Sequence, residues 1–194
     1  GAGGQLNPIA HWKFDEGSGN TIHDSIGNIN GTVYGASWSN EGQSGKALNF
    51  NGSGDYARTS NDPVNGQQEM TISAWAKPTP STGGPIAGNA YGWYYRYGIY
   101  LSGNIYSALF RSSGGTWSLS STTSPSGNWD HIAVTYNNGA AKIFINGQEK
   151  NSGNFPHAPL TQNTDFINIG THSTAAGNWF DGLIDEVKIY NYAL

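Results

Sequence analysis

The chain has 194 residues, enough for one domain with a substantial core, and carries a formal net charge of −4. Its nine Lys and Arg residues are scattered, which argues against nucleic-acid binding because phosphate neutralisation needs clustered basic residues. The absence of cysteine excludes disulfides and thiolate metal sites, and no apolar run reaches the roughly 20 residues of a membrane-spanning helix. With 28 glycines and 13% aromatic residues, the composition is typical of a turn-rich β protein.

Short stretches of alternating apolar and polar residues, separated by Gly, Asn, Ser and Pro, predict β-strands along the whole chain. In chain order the predicted strands cover residues 9–14, 46–50, 55–58, 70–76, 97–101, 105–110, 129–136, 141–146, 166–170 and 183–190. Hairpin turns are predicted at 102–104, 137–139 and 146–147, the last two from Asn-Gly pairs. So many strands are best buried as two stacked antiparallel sheets, which predicts an all-β sandwich.

The first residues, 1–5, are interpreted as a linker or cloning remnant because they are almost entirely Gly and Ala. No composition change suggests a domain boundary within 6–194, and no internal period indicates a repeat protein. One domain is therefore predicted over residues 6–194.

The closing segment places a carboxylate in an apolar strand. Simple alternation puts Leu183, Asp185, Val187 and Ile189 on one face of this strand. A carboxylate among core-facing residues is costly unless something pairs with it, and a bound cation is a common solution.

Several motifs occur in an order that resembles a known family. They are the segments AHWKFDEGSG at 10–19, GKALNFNG at 45–52, TISAW at 71–75, NWDHIAVTY at 128–136, IFING at 143–147 and FDGLIDEV at 180–187. Together they resemble the laminin-G-like, concanavalin A-like lectin/glucanase jelly rolls. The resemblance implies a two-sheet antiparallel β-sandwich, most members of which bind sugars and hold a structural calcium ion.

The resemblance also implies that the first and last strands run side by side, which would bring acidic residues from both ends together. The predicted calcium ligands are Asp15, Glu16, Asp24 and Asp185. Ca²⁺ takes roughly six to eight oxygen ligands, including carboxylates and the backbone carbonyls that glycine-rich loops expose. The predicted role of the ion is to attach the N-terminal loop to the closing strand. The alternative is that these carboxylates cap turns and accept hydrogen bonds without an ion.

The segment YGWYYRYGIY at 91–100 is the first candidate for sugar binding, since it holds five tyrosines and one tryptophan. Each buried tyrosine hydroxyl needs a partner, so some of these rings are expected to face solvent, where they can stack on a sugar. The predicted sugar-binding residues here are Tyr91, Trp93, Tyr94 and Arg96. The alternative is that Tyr95, Tyr97 and Ile99 pack in the core and the other rings cover a loop.

Two further loops are predicted to border the same sugar site. One supplies Arg111, and the loop at 171–179 supplies His172, Asn178 and Trp179. Each has a purely structural alternative; Trp179, for example, could equally be a core residue. The low charge favours a neutral glycan, although the arginines leave an acidic end group open.

Catalysis by this chain is not expected. Hydrolases of this fold carry a Glu-x-Asp-x-Glu run on one strand face, and no such run occurs in this sequence. The predicted function is that of a non-catalytic carbohydrate-binding module, monomeric and secreted by a bacterium, that targets a catalytic domain of the same parent chain to its polysaccharide. The alternative is a protein-interaction or adhesion module, which predicts an exposed apolar patch.

Overall fold

A computed structural model of the chain describes residues 7–64, 66–80, 82–91, 94–112, 115–155, 166–172 and 177–194. These residues form sixteen β-strands and contain no helix, so the predicted all-β class is confirmed. The strands are β1 (Ala10–Trp12), β2 (Thr21–Ile22), β3 (Gly31–Tyr34), β4 (Ser37–Ser39), β5 (Ala47–Asn51), β6 (Tyr56–Thr59), β7 (Glu69–Pro78), β8 (Gly84–Tyr91), β9 (Tyr94–Ser102), β10 (Ile105–Ser112), β11 (Gly115–Ser120), β12 (Asp130–Asn137), β13 (Ala140–Ile145), β14 (Gln148–Asn154), β15 (Asn168–Ile169) and β16 (Asp181–Tyr190). A helix long and apolar enough to cross a membrane is likewise absent from the described ranges.

The strands form two antiparallel sheets. The first sheet has the order β14-β13-β12-β7-β16-β5-β4, and β1 adds to it by pairing with β16. The second sheet has the order β11-β10-β9-β8-β15-β6-β3-β2. Both sheets combine consecutive strands with pairs that are distant in sequence, such as β7 with β16 and β15 with β6, so each places residues from the two halves of the chain side by side.

The core lies between the two sheets and follows the predicted alternation. On β7 the buried apolar residues that alternate are Met70, Ile72, Ala74 and Ala76, and on β9 they are Tyr97, Ile99 and Leu101. The residues between these on β9 and its neighbours therefore belong to the outer face of the second sheet. This alternation decides which side chains remain available to a ligand.

The three predicted hairpin turns are confirmed. Ser102 pairs with Ile105 across a two-residue turn, and Asn138 and Gly139 have φ values of 47° and 99° between β12 and β13. Asn146 and Gly147, with φ values of 51° and 77°, join β13 to β14 in the same way. Positive φ at both central residues is the requirement of a type I′ turn, which Asn-Gly satisfies at little cost.

The face assignment predicted for the closing strand is wrong because β16 contains a bulge. Ile184 lies opposite Ala76 and Ile189 opposite Ile72, so both face the core although they are an odd number of residues apart. The register shifts between Asp185 and Lys188, and Glu186 has a φ of 51°. One extra residue changes the parity of the strand, which turns Leu183 away from the core.

Candidate functional site

The first and last strands lie side by side, as the resemblance implied, with His11 of β1 opposite Lys188 of β16. Two predicted calcium ligands reach the loop that precedes β5. Asp15 Oδ1 accepts the Lys46 N–H at 2.9 Å, and Asp185 Oδ2 accepts the Ser44 N–H at 3.0 Å. The same loop is therefore held by one carboxylate from each end of the chain.

The other two predicted ligands have different partners. Glu16 Oε1 accepts the backbone N–H of His23 at 2.7 Å, while its Oε2 is buried and has no hydrogen-bond partner among the described residues. Asp24 accepts the N–H groups of His11, Ile26 and Ile29 at 2.9–3.2 Å. Within the described residues, no three His, Cys, Asp or Glu side chains form a group that could hold a metal ion.

The environment of Asp185 alters its pKa. This residue is fully buried, and burial raises its pKa to about 6, although hydrogen bonds from the backbone of Ser44 and Glu186 oppose that rise. A cation beside this carboxylate would favour the charged form and lower the pKa. The chemistry of this loop is thus compatible with Ca²⁺ held by Asp15, Asp185 and backbone carbonyls, a smaller carboxylate set than the four residues expected.

The second sheet has an unusual charge distribution. The strands that form it contain all three arginines of the chain, Arg58, Arg96 and Arg111, and no Asp, Glu or Lys. The charged side chains of these strands are therefore all positive, although the Asp62 carboxylate from the loop after β6 lies near Arg96.

Arg58 lies in a row of residues that runs across neighbouring strands on the outer face of the second sheet. In β6 the buried residues are Ala57 and Thr59, so Tyr56 and Arg58 point outward. Pairing places Thr32 of β3 on one side of Arg58 and Asn168 of β15 on the other. We call the outward surface formed by Thr32, Tyr34, Tyr56 and Arg58, with the buried Asn168 beside it, the Arg58 face.

The guanidinium of Arg58 is held in a fixed position. Its Nε donates to Asn168 Oδ1 at 2.9 Å, and Asn168 Nδ2 in turn donates to the His172 carbonyl at 3.3 Å. The guanidinium carbon lies 4.3 Å from the ring centroid of Phe166 and 5.3 Å from that of Tyr56. These contacts order a long side chain before any ligand arrives, and they use only one of its nitrogens in hydrogen bonding.

Aromatic rings continue the Arg58 face on one side. The rings of Tyr34 and Tyr56 are stacked with centroids 4.5 Å apart and planes 14° from parallel. Trp179 lies next to them, 6.1 Å from Tyr56. Tyr34 is 43% exposed, so the stack ends in a ring that faces solvent.

A cavity opens beside these groups. It has a volume of about 420 Å³ and is lined by Thr21, Asn30, Gly31, Thr32, Tyr34, Arg58, Thr59 and Ser60. Among these lining residues Arg58 carries the only charge, and most of the others offer hydroxyl, amide or backbone hydrogen-bonding groups. This combination of an ordered cation, a ring and several neutral polar groups is suited to a polar ligand of small size.

The other two arginines of the sheet lie near each other. Arg96 is buried, and burial lowers its pKa, as does the positive charge of Arg111. The carboxylate of Asp62 opposes this effect. Asp62 itself is buried and accepts hydrogen bonds from Asn89 and from the Tyr97 hydroxyl, so Arg96 belongs to a polar network that also ties β9 to the loop after β6.

Comparison with known proteins assigns the family. Residues 51–194 match the family Laminin_G_3, the concanavalin A-like lectin/glucanases superfamily. The chain belongs to this superfamily. No match to this laminin-G-like chain is found among curated protein sequences.

Three solved structures illustrate the similarity of this fold to known proteins. Domain 4 of AbnA, a GH43 extracellular arabinanase from Geobacillus stearothermophilus, in complex with arabinotriose, is 25% identical with a TM-score of 0.70, covering 98% of this chain and 95% of that one. The binding domain of Paraclostridial Mosquitocidal Protein 1 is 19% identical with a TM-score of 0.78, covering 98% and 50%. The ligand-binding domain of botulinum neurotoxin serotype D in complex with N-acetylneuraminic acid is 15% identical with a TM-score of 0.73, covering 96% and 48%. This laminin-G-like chain therefore spans about half the length of these toxin domains.

The residues predicted to bind sugar divide into three groups in the laminin-G-like domain. Trp93 and the side chains of Tyr91 and Tyr94 lie outside the described residues, although Tyr91 ends β8 and Tyr94 begins β9. Arg96 and Arg111 form the neighbouring pair described above. His172 is buried behind Asn168, Asn178 is exposed, and Trp179 is half-buried against Tyr56.

Sequence reasoning missed the residues at the centre of this site. Arg58, Asn168, Tyr34 and Tyr56 were not singled out, although the alternation in YART at 56–59 places Tyr56 and Arg58 on one face. The missing information was strand order, because β6 pairs with β3 and β15, and β15 lies more than a hundred residues further along the chain. No local pattern indicates that pairing.

Proposed function

We propose that this chain is a non-catalytic carbohydrate-binding module whose glycan site is the Arg58 face and the adjoining cavity. Its role is to hold an attached polysaccharide-degrading domain of the same parent chain at its substrate and so to raise the local concentration of that substrate. In this proposal the module is a secreted bacterial domain that acts as a monomer.

The observation that carries the proposal is the combination of stacked rings and ordered polar groups on one outward surface. The Tyr34, Tyr56 and Trp179 rings offer flat apolar area to the C–H face of a sugar, with each ring contact contributing about 0.5–1.5 kcal/mol beyond its buried area. The Arg58 guanidinium, held in place by Asn168, supplies donors beside them. A sugar has the same alternation of apolar faces and hydroxyl edges, which makes it a chemically matched ligand.

Two of the structural neighbours support this choice of ligand. The AbnA domain has arabinotriose in its complex, and the neurotoxin domain has N-acetylneuraminic acid. The first of these is also a part of an extracellular polysaccharide-degrading enzyme, which supports the targeting role.

The distribution of carboxylates supports a binding role rather than catalysis. Retaining hydrolysis requires two carboxyl groups roughly 5–5.5 Å apart. The described strands of the second sheet carry no Asp or Glu, so the Arg58 face itself has no such pair.

The adhesion alternative receives less support. It predicts a continuous exposed apolar patch. The exposed large apolar residues in the described part of the chain are Ile26, Tyr34, Ile105 and Leu194, and they lie in four separate segments.

A structural calcium ion remains part of the proposal. Asp15 and Asp185 would hold it together with carbonyls of the loop before β5, because both side chains already contact that loop. When bound, the ion would supply the positive charge that stabilises the buried Asp185 in its ionised form.

The binding proposal is tested by affinity electrophoresis of the purified chain through gels that contain plant, algal and microbial polysaccharides. We expect retardation by at least one glycan, and a clear loss of retardation for Tyr34→Ala, which removes the most exposed ring of the stack. Tyr192→Ala is the matched control, since it removes a tyrosine ring from the end of the first sheet. Unretarded migration in every gel of a broad panel would refute the binding proposal.

A further inference from the structure

The sheet that carries the Arg58 face has charged side chains of one sign on its strands. Its strands hold three arginines and no acidic residue in the described structure, within a chain whose formal net charge is −4. Negative charge thus predominates elsewhere in the molecule, and the charged side chains on the strands of this sheet are all positive, with Asp62 near Arg96. Positive charge at a binding surface attracts anions, so it adds most to the binding of a negatively charged ligand.

Arg58 is the arginine best placed to contact a ligand. It is half-buried, lines the 420 Å³ cavity, and forms no ion pair with any described carboxylate. Its Nε is occupied by Asn168, which leaves the two terminal nitrogens directed away from that bond. Two parallel N–H groups of one guanidinium match the two oxygens of a carboxylate.

The surroundings of Arg58 favour an anion attached to a sugar rather than a free ion. The Phe166 and Tyr56 rings hold the guanidinium by cation–π contacts, and the exposed Tyr34 ring stands at the cavity wall. Thr21, Thr32 and Ser60 add neutral hydroxyls around the cavity that can donate to or accept from sugar hydroxyls. A small inorganic anion would use the guanidinium but would leave the ring and most of the hydroxyls without contact.

From these observations we infer that the cavity beside Arg58 is a binding site for an acidic sugar, whose carboxylate binds the Arg58 guanidinium and whose ring lies against Tyr34. The inference rests on the proposed carbohydrate-binding function and gives it a ligand class, that of uronic or other carboxylate-bearing sugars. It departs from the neutral glycan favoured by the overall composition.

The test compares each acidic polysaccharide with the same polymer after chemical reduction of its carboxyl groups, so that only the charge and its oxygens differ. Titration calorimetry of the whole chain with polygalacturonate, alginate, glucuronoxylan and sialyl-oligosaccharides, each beside its reduced form, gives the affinities. We expect at least one acidic ligand to bind about 10- to 100-fold more tightly than its reduced partner, the range of a bidentate charged hydrogen bond. This preference should diminish as salt is raised, because the contact is partly exposed.

Two variants locate the effect. Arg58→Gln should remove the preference for the acidic form, and Arg58→Lys should weaken it about tenfold by keeping the charge but losing the planar fork. Lys142→Gln on the first sheet is the control, since it removes one positive charge from a surface remote from the cavity. Circular dichroism and a thermal melt establish that each variant is folded.

The outcomes separate the two proposals. Equal binding of acidic and reduced polymers, or an unchanged preference in Arg58→Gln, overturns the acidic-sugar inference and leaves the carbohydrate-binding function intact. Equal losses in Arg58→Gln and Lys142→Gln also overturn it, because net charge alone would then be responsible. Failure to bind any polymer, acidic or neutral, overturns the carbohydrate-binding function and the inference with it.

Discussion

The two sheets of the sandwich manage positive charge in opposite ways. Every lysine of the chain lies in or directly beside a strand of the first sheet, and three of them, Lys77, Lys142 and Lys188, face a glutamate within 2.8–3.9 Å. The charged residues on the strands of the second sheet are all arginines. Among them, Arg58 contacts an amide and two aromatic rings instead of a carboxylate. Half of the lysines in or beside the first sheet therefore form ion pairs, whereas Arg58 of the second sheet forms none with a described carboxylate. The difference supports the outer face of the second sheet as the proposed binding surface.

The largest expected effect concerns backbone packing. This packing is tight around Gly88 of β8 in the second sheet and loose around Gly153 of β14 at the edge of the first sheet. A Cβ at Gly88 would lie 2.4 Å from the Tyr97 carbonyl oxygen and 2.5 Å from Gly98 Cα, both backbone atoms. We expect Gly88→Ala to destabilise the fold by about 2–3 kcal/mol in chemical denaturation. Gly153→Ala on β14 is the matched control, because its Cβ would meet only side-chain atoms at 3.6 Å or more, and it should change stability by less than about 0.5 kcal/mol. Equal effects at the two sites would remove this contrast between the sheets.

The second prediction concerns Asp185, a carboxylate of the first sheet that has no lysine partner. Its pKa is raised from 3.8 to about 6 in the folded protein, so the folded state binds the proton more tightly than the unfolded state. Its contribution to the free energy of unfolding is therefore fully present below about pH 4 and is lost as the pH rises through about 6. In EDTA we expect a loss of up to about 3 kcal/mol across this window, measured by urea denaturation.

Added Ca²⁺ should restore much of that stability at pH 7, because the ion favours the ionised carboxylate. Asp185→Asn serves as the control and should flatten the pH profile in EDTA. If Ca²⁺ leaves the denaturation midpoint of the native protein unchanged at pH 7, the proposed calcium site is wrong.

A smaller effect on stability is expected at a hydrogen bond between the two sheets. The Tyr106 hydroxyl of β10 donates to Asp130 Oδ2 of β12 at 3.1 Å, and Asp130 also accepts from Ser126 and Asn146. Because two of the three bonds remain, Tyr106→Phe should cost about 1 kcal/mol. Tyr192→Phe, which loses an exposed bond to the Asn7 carbonyl, should have no clear effect in the same denaturation series. A loss of stability as large as that of Gly88→Ala would mean that this hydrogen bond contributes as much to stability as the backbone packing around Gly88.

The smallest effect is expected at the exposed ion pair of the first sheet. Lys142 and Glu149 lie 2.8 Å apart with both side chains about half exposed. Solvent screening and side-chain entropy offset most of the attraction, so Lys142→Ala should leave the melting temperature unchanged within error. A clear fall in melting temperature would show that this exposed ion pair stabilises the fold more than its geometry indicates.

Much of the fold could be predicted because its signals are local. Alternation marks the buried faces of β7 and β9, and the Asn-Gly pairs at 138–139 and 146–147 specify turns through their backbone preference. The bulge in β16 could not be predicted, since neither Asp185 nor Glu186 is a typical residue for an extra position in a strand. It was sufficient to reverse the predicted direction of Leu183.

The site was less predictable than the fold because it is assembled from distant segments. Trp179 was singled out as a ring in the loop at 171–179, and it does lie beside Tyr56. Arg58 could be recognised only once β15 is known to pair with β6, since Asn168 is the residue that orders its side chain. Predictions from composition favoured a neutral ligand because they average the charge of the whole chain, whereas a ligand meets only the charge of one face.

The pairing of the two terminal strands has a practical consequence. The Ile9 N–H donates to the Ile189 carbonyl at 2.8 Å, and the Tyr192 hydroxyl donates to the Asn7 carbonyl at 3.2 Å, so both ends emerge beside the same edge of the first sheet. A short peptide could join them, and new ends could then be opened in the exposed turn at Gly103–Asn104. The domain is therefore suited to insertion into a surface loop of another protein, because its two adjacent terminal segments would keep the two ends of that loop close together.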